Sequence, residues 1–173
     1  MEWDTFVGHS TQRAWFENAL ARNRVASTFL LVGQEGIGKR TFAKLIAKSL
    51  LCTGSDARKL DLCNRCETCK QVDAGTHPDV IEIAPEKDKS RITMRQLVGE
   101  DENRLREGLC YEIRFHPYSG RRKFAIIDYA DTLERHTANA LLKTLEEPPL
   151  GAVIFLIGTS EKRQISTIRS RSQ

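Results

Sequence analysis

The residues best suited to chemistry lie in a glycine-rich segment, Gly33–Arg40, which reads GQEGIGKR. An apolar run, Thr28–Val32, precedes this segment, and Thr41–Lys48 follows it with apolar residues at helical spacing. A glycine-rich loop between a strand and a helix is typical of phosphate binding. Its glycines let backbone N–H groups approach the phosphate oxygens, and the helix N-terminus adds partial positive charge. The predicted phosphate-binding residues are Gly33, Gly36, Gly38 and Lys39.

The position after Lys39 places magnesium binding in doubt. Proteins with this loop usually carry Ser or Thr there to ligate Mg²⁺, whereas this chain has Arg40. Thr41 comes one residue later and is expected to point about 100° away around the helix, so it cannot simply replace the missing ligand. The loop therefore predicts a nucleotide site that includes Thr41, and it leaves open whether ATP and Mg²⁺ bind there.

Asp128 is a second candidate nucleotide-site residue, because it follows the apolar run Phe124–Ile127. A carboxylate at the carboxyl end of a buried strand can bind magnesium through water. Proteins that hydrolyse nucleotides place a glutamate next, to activate the attacking water, but this chain has Tyr129, whose phenol has a reference pKa of about 10 and is a poor base. The alternatives are that Gly33–Lys39 is only a glycine-rich turn and that Asp128 only caps a strand. Both are disfavoured, because the loop motif and the strand motif occur together and in the expected order.

Four of the five cysteines follow the spacing C-x10-C-x2-C-x2-C. These four are Cys52, Cys63, Cys66 and Cys69. Thiolates are soft ligands and four of them close a tetrahedral shell, so the spacing predicts a structural Zn²⁺ site in an insert of about residues 52–69. An iron–sulfur cluster and reduced free thiols remain as alternatives. Cys110 stands apart and is predicted to be a buried apolar residue.

The composition is that of one ordinary domain. With 173 residues, 40% of them apolar, the chain can bury a core. No stretch reaches the ~20 apolar residues of a membrane span, and Met1–Asp4 does not resemble a signal peptide, so we expect a cytoplasmic protein without membrane association. The net charge of +4 is compatible with a polyanionic partner and equally with an ordinary solvated surface.

The hydrophobic pattern predicts elements that position these residues. A first helix is expected to begin at Ser10 as its cap, with Trp15, Phe16, Ala19 and Leu20 on one face. Further strands are predicted over residues 79–83, 124–128 and 152–157, and helices over residues 91–106, with Leu97 and Leu105 inward, and 138–145. Strands that alternate with helices predict an α/β fold with a mostly parallel, doubly wound sheet. Because no further helix is recognised before Gln173, the chain is expected to be part of a longer protein.

The order of these motifs resembles the bacterial clamp-loader subunits of DNA polymerase III, which belong to the AAA+ ATPases. The resemblance extends from Val7–Gly8, which is similar to the family's adenine-side box, to Arg171. The motifs that carry it are the phosphate loop, the cysteine insert, Gly75–Asp79, the strand before Asp128, the run Ala138–Pro149 and Ser170–Ser172. It implies that residues 1–173 form an AAA+ nucleotide-binding domain, and that lid and collar domains follow.

Two kinds of subunit in that family share the pattern, the gamma/tau ATPase and the delta-prime subunit, which commonly has a degraded nucleotide site. Arg40 and Tyr129 make this chain similar to delta-prime. In the family an arginine reaches into the ATP site of the neighbouring subunit, and Arg171 matches it, although Ser172 departs from the family's cysteine. Thr159 matches the first sensor position. The alternative for Arg171 is a place in a solvated basic tail, and the alternative for Thr159 is that it is simply a polar residue at the end of a strand.

The resemblance implies a subunit that supports loading of the sliding clamp on primed DNA, beside the gamma/tau ATPase and the delta subunit, with weak or no ATP hydrolysis of its own. One alternative is an active gamma/tau-like ATPase that uses Lys39 and Asp128, with Asp131 orienting water. Another is a zinc-stabilised DNA-binding module that contacts phosphates through Arg121–Lys123 and a C-terminal basic cluster. That cluster comprises Lys162, Arg163, Arg169 and Arg171.

Overall fold

A four-stranded parallel sheet forms the centre of the computed structural model, which describes residues 1–56, 59–104, 106–160 and 166–173. The strands are β1 (Thr28–Val32), β2 (Val80–Ile83), β3 (Lys123–Ile127) and β4 (Ala152–Gly158). Their spatial order is β1-β4-β3-β2, and every neighbouring pair is parallel. Parallel neighbours require crossover connections, which explains why helices separate the strands along the chain.

Seven α-helices and two short 3₁₀ helices, Asp101–Asn103 and Ala130–Thr132, accompany the sheet in the described part of the chain. The α-helices are α1 (Ser10–Ala21), α2 (Lys39–Leu51), α3 (Glu67–Ala74), α4 (Met94–Val98), α5 (Leu109–Glu112), α6 (Arg135–Glu146) and α7 (Ser166–Arg169). The predicted cap of α1 is wrong: Ser10 is its first helical residue, and His9 precedes it without a capping side-chain hydrogen bond. None of these helices is long and apolar enough to cross a membrane.

The central strands bury both of their faces. In β3, Phe124 and Ile126 pack with α1 and α2, whereas Ala125 and Ile127 pack with α4, α5, α6 and α7 on the other side. Side chains of a strand alternate between faces, so helices on both sides turn every residue of β3 and β4 into core. This arrangement confirms the predicted doubly wound α/β fold.

The helix predicted over residues 91–106 is wrong. Helix α4 has five residues and ends at Gly99, whose φ of 85° is a conformation that favours glycine. Apolar spacing predicts burial, but it does not reveal a backbone reversal of this kind. Leu97 is buried as predicted, and Leu105 lies outside the described residues.

The C-terminal residues also differ from the expectation that no helix follows β4. Helix α7 buries Ile168 against the sheet. Beyond it, the backbone N–H of Gln173 donates to the Thr28 carbonyl at 3.1 Å, and the Gln173 carbonyl accepts from Leu30 N–H at 2.8 Å. These two bonds extend the sheet past the edge of β1. Lys162 and Arg163 lie outside the described residues.

Candidate functional site

The glycine-rich loop joins β1 to the N-terminus of α2, as the sequence predicted. Gly36 and Gly38 have φ angles of 81° and 91°, which side-chain-bearing residues rarely adopt. A Cβ atom at Gly38 would also lie 2.8 Å from the Phe6 ring, so this position has no room for a side chain. His9 also holds the N-terminal segment against the loop, because its Nε2 lies 2.8 Å from the Ile37 carbonyl oxygen.

Lys39 is folded over its own loop. Its ammonium donates to the carbonyl oxygens of Gly33 at 2.7 Å and Gln34 at 2.6 Å. Two cavities meet at this side chain. The larger has a volume of about 710 Å³ and is bordered by residues that include Ile37, Phe42 and Leu30.

The smaller cavity, of about 230 Å³, brings most of the predicted nucleotide-site residues together. The predicted residues on its wall are Gly36, Gly38, Lys39, Thr41, Asp128 and Thr159. Glu35, Arg40, Tyr129 and Asp131 border it as well. Thr41 therefore faces the site in part, although its position in the helix had suggested that it points away.

Arg40 occupies the metal-ligand position of the loop and is paired with a carboxylate. Its Nε and Nη2 atoms donate to Oε2 of Glu82 at 3.1 and 2.6 Å, while Lys44 contacts Oε1 at 2.6 Å. Burial opposes ionisation of Glu82, but the hydrogen bonds and charges of Lys44 and Arg40 lower its pKa. A guanidinium has no lone pair to offer a metal, so the side chain at this position does not fit Mg²⁺.

Tyr129 replaces the glutamate that would activate water, and its hydroxyl is engaged elsewhere. The hydroxyl donates to Glu35 Oε1 at 2.9 Å, and this hydrogen bond, together with the negative charge of Glu35, raises the pKa of Tyr129. Asp128 lies at the end of β3, as predicted, and its Oδ1 accepts from the Tyr129 N–H at 3.0 Å. A neutral phenol that donates to a carboxylate cannot act as a general base.

Thr159 follows β4 and contacts Asp131 rather than standing alone. Both its N–H and its hydroxyl donate to Asp131 Oδ2, at 3.0 and 2.5 Å. The sequence had suggested Asp131 as an orienter of water, but it did not reveal this partnership, because the two residues lie 28 positions apart.

Arg171 lies two residues after the end of α7 and has a defined orientation. Its Nη2 donates to Glu146 Oε1 at 2.5 Å, and its Nη1 donates to the Thr167 carbonyl at 2.8 Å. The guanidinium remains partly exposed. As far as the structure describes the walls of the two cavities, Arg171 borders neither of them.

The four predicted metal ligands converge. Their Sγ atoms all lie within 4.8 Å of one another, and those of Cys52 and Cys63 are 3.5 Å apart. Four thiolates around zinc, with Zn–S bonds of about 2.3 Å, place their sulfurs ~3.8 Å apart, so the cluster fits a tetrahedral ion. A Cβ at Gly54 would lie 2.9 Å from Cys63 Sγ, which leaves no space for a side chain beside the cluster.

Backbone hydrogen bonds of 3.4 to 3.5 Å orient three of the sulfurs. The N–H groups of Cys63, Cys66 and Cys69 each donate to the Sγ of the preceding cysteine of the cluster. Burial raises the pKa of Cys66, but hydrogen bonds from Cys69 and Thr53 outweigh it and bring the pKa to about 5. Burial and contacts with Cys66 and Cys52 raise the pKa of Cys69 to about 12. Cys110 is buried outside the cluster, as predicted, and burial raises its pKa.

Lys48 joins the cysteine insert to the rest of the domain, a role that the sequence analysis does not predict. Its side chain is fully buried in α2. Its ammonium donates to Asn64 Oδ1 at 2.6 Å, Asp73 Oδ2 at 2.7 Å and the Met1 carbonyl at 2.9 Å. Trp3 strengthens the same junction through a 2.9 Å hydrogen bond from its indole N–H to the Ser49 hydroxyl.

Two residues of the basic run Arg121–Lys123 are engaged within the protein. Arg121 Nη1 donates to the Cys52 carbonyl at 2.7 Å, and Lys123 is 9% exposed. Nearby, the buried carboxylate of Asp79 accepts from the N–H groups of Tyr118 and Ser119 at 2.7 and 2.8 Å. Arg121 therefore helps to hold the cysteine insert, and Asp79 holds the loop before β3.

Comparisons with known proteins agree with this geometry. The family described as "DNA polymerase III, delta subunit" matches residues 8–173. The DNA polymerase III subunit delta' of Pseudomonas aeruginosa is 34% identical over 160 residues, which cover 92% of this chain and 45% of that protein. The DNA polymerase III subunit tau of Escherichia coli is 36% identical over 168 residues, which cover 95% of this chain and 24% of that protein.

A solved structure shares the fold. The DNA polymerase III gamma subunit-related protein of Thermotoga maritima superposes with a TM-score of 0.56 at 19% sequence identity. The superposition covers 91% of this chain and 44% of the Thermotoga chain. The chain thus spans less than half the length of each of these three relatives. The family match over residues 8–173 shows that the chain belongs to the bacterial clamp-loader subunits of DNA polymerase III.

Proposed function

We propose that this chain acts as a delta-prime-like subunit of the DNA polymerase III clamp loader. In this role it supports loading of the sliding clamp on primed DNA and supplies Arg171 to the ATP site of a neighbouring subunit. Its own ATP hydrolysis is weak or absent. The observation that carries the proposal is the pairing inside its own phosphate site, where Arg40 binds Glu82 and Tyr129 binds Glu35.

These pairings remove two chemical functions at once. Arg40 cannot ligate a cation, and Tyr129 cannot accept a proton from water while its hydroxyl donates to Glu35. The remaining candidate base, Asp131, already accepts two hydrogen bonds from Thr159 through one oxygen. A subunit with this site contributes to the assembly through its surface rather than through its own turnover.

Arg171 has the properties that a contribution in trans requires. A guanidinium placed beside the phosphates of another subunit stabilises charge that develops in the transition state, and can accelerate phosphoryl transfer by about 10³–10⁵. Glu146 and the Thr167 carbonyl hold Arg171 in one orientation at the surface. The partners in this proposal are the gamma/tau ATPase, the delta subunit, the sliding clamp and primed DNA in the assembled complex.

We further propose that the four clustered cysteines hold a structural Zn²⁺ ion. Convergence of their sulfurs within 4.8 Å supports this assignment. Four thiolates leave no open position for a water or substrate, so the metal stabilises the insert and performs no chemistry. Lys48 and Arg121 tie the insert to α2 and to the loop before β3.

The test uses the loader reconstituted with the full-length protein and measures clamp- and DNA-stimulated ATP hydrolysis. Arg171→Ala should lower the rate by roughly 10³-fold if the arginine acts on the neighbouring site, and Lys39→Ala should leave it nearly unchanged. Arg22→Ala, an exposed arginine after α1, controls for loss of charge. A normal rate with Arg171→Ala would contradict the proposal.

A second candidate is an active gamma/tau-like ATPase. It is favoured by the conformation of the loop and by Asp128, which borders the small cavity together with Lys39. In this case Lys39→Ala, and not Arg171→Ala, would be the damaging substitution. The same reconstituted assay therefore separates the two functions.

A further inference from the structure

The loop places a cation where its family places a cation ligand. Arg40 borders the small cavity beside Lys39, at the N-terminus of a helix of 13 residues. A hydroxyl at this position would offer a lone pair to Mg²⁺, whereas the guanidinium offers five N–H donors in a plane that matches phosphate oxygens. The same charge repels a divalent ion from the space around it.

Arg40 can exchange its present partner for a phosphate without leaving a carboxylate unpaired. Its side chain is 50% exposed, and it uses only Oε2 of Glu82. Lys44, at 14% exposure, occupies Oε1 of the same carboxylate and remains there when Arg40 moves. Glu82 would then keep a full ion pair, so the exchange breaks no buried charge pair.

Three carboxylates border the small cavity, and one oxygen of each accepts a hydrogen bond, whereas the buried Oδ1 of Asp131 has no partner among the described residues. Asp128 accepts from the Tyr129 N–H, Asp131 accepts from Thr159, and Glu35 accepts from the Tyr129 hydroxyl. Each bond disperses part of the negative charge that would otherwise oppose a phosphate. The cations and backbone N–H groups on the α2 side thus form the attractive wall of the cavity.

We propose that this site binds the phosphates of a nucleotide without a divalent cation, with the Arg40 guanidinium in place of the metal. The phosphates lie between Lys39, Arg40 and the N-terminus of α2. The larger cavity, which shares Lys39 and has both apolar and polar walls, receives the base. The inference concerns binding alone and holds whether or not Arg171 acts on a neighbouring subunit.

The test is a fluorescence titration of the full chain with mant-ADP, in buffer with Mg²⁺ or with EDTA. The wild-type affinity should differ by less than about threefold between the two conditions. Arg40→Thr should bind about tenfold more weakly in EDTA, because it loses one charge-assisted contact, and should regain affinity when Mg²⁺ is added. Arg22→Thr, the same change at an exposed position after α1, should behave as wild type.

Three outcomes would overturn the proposal. The first is no binding of mant-ADP by the wild-type chain in either condition. The second is an increase of more than about tenfold in the affinity of the wild-type chain for mant-ADP when Mg²⁺ is present. If Thr41→Ala abolished that increase, the metal would be assigned to Thr41. The third is equal weakening of Arg40→Thr in both buffers. None of these outcomes affects the loader assay, because Arg171 borders neither cavity in the described part of the structure.

Discussion

At the cysteine cluster, four thiol sulfurs lie within 4.8 Å of one another. At the phosphate loop, the groups that should act on a ligand are paired with neighbouring carboxylates: Arg40 with Glu82, and Tyr129 with Glu35. The sequence predicts both regions from the spacing of a few residues. The comparison shows that a sequence motif predicts the local backbone conformation. Whether its side chains can still act on a ligand depends on the residues with which they are paired.

The largest expected effect is that of Cys66→Ser. Metal content should fall from about one ion per chain to nearly none, and the free energy of unfolding should fall by about 3 kcal/mol or more, because one ligand of the closed shell is lost. Mass spectrometry of freshly reduced protein and denaturant unfolding measure the two quantities. Cys110→Ser, a buried cysteine outside the cluster, should keep its metal. Absence of metal from the freshly reduced wild-type protein would contradict the proposed zinc site.

Lys48→Met tests whether the cysteine cluster depends on the rest of the domain. The substitution keeps the apolar stem but leaves Asp73 and Asn64 without the ammonium. We expect a loss of about 2 kcal/mol, less than for a fully buried pair because Asp73 is 37% exposed. Chemical denaturation measures the loss. Lys70→Met, on the exposed face of α3, should change stability little, and an equal loss there would point to charge alone.

Glu82→Gln tests the ion pairs beside the phosphate loop. Because the pKa of Glu82 is lowered on folding, its contribution is present above the ordinary glutamate pKa and is lost as pH falls through the lowered value. We expect the wild type to be more stable by about 1 kcal/mol at neutral pH, with the difference vanishing in acid. Unfolding curves across pH measure this, and a constant difference would show that Arg40 and Lys44 do not favour the ionised form.

Tyr129→Phe should have the smallest effect. The hydrogen bond to Glu35 lies at the surface, so the melting temperature should change by less than about 2 °C. In an absorbance titration, Glu35→Gln should lower the pKa of the Tyr129 phenol toward its ordinary value, because it weakens the hydrogen bond from the phenol and removes the negative charge of Glu35. Tyr118→Phe, at 87% exposure, is the matched control. A large drop in stability with Tyr129→Phe would mean that this contact holds the loop together.

The sheet and the position of the site could be predicted because both depend on local patterns. Apolar runs located β1, β3 and β4, and the phosphate loop followed from glycines at a strand–helix junction. The error over residues 91–106 arose because the turn at Gly99 depends on positive φ rather than on apolar spacing.

The partners of the site residues could not be predicted, because they come from distant segments. Glu82 lies 42 residues after Arg40, and Tyr129 lies 94 residues after Glu35. Lys48 gave no signal either, since a lysine in an amphipathic pattern is usually solvated. A charged residue within an otherwise apolar stretch of α2 is the one feature that could have suggested a buried partner.

The N-terminal segment carries a natural optical reporter. The chain has two tryptophans, of which Trp15 is exposed and Trp3 is buried. Trp3 packs edge-on against Phe6 and Phe42, and its indole binds Ser49, next to Lys48. Phe6 in turn covers Gly38 of the phosphate loop. In a Trp15→Phe background, the emission of Trp3 should therefore respond both to metal loss at the cysteines and to ligand binding at the loop, so that one wavelength follows the two regions together.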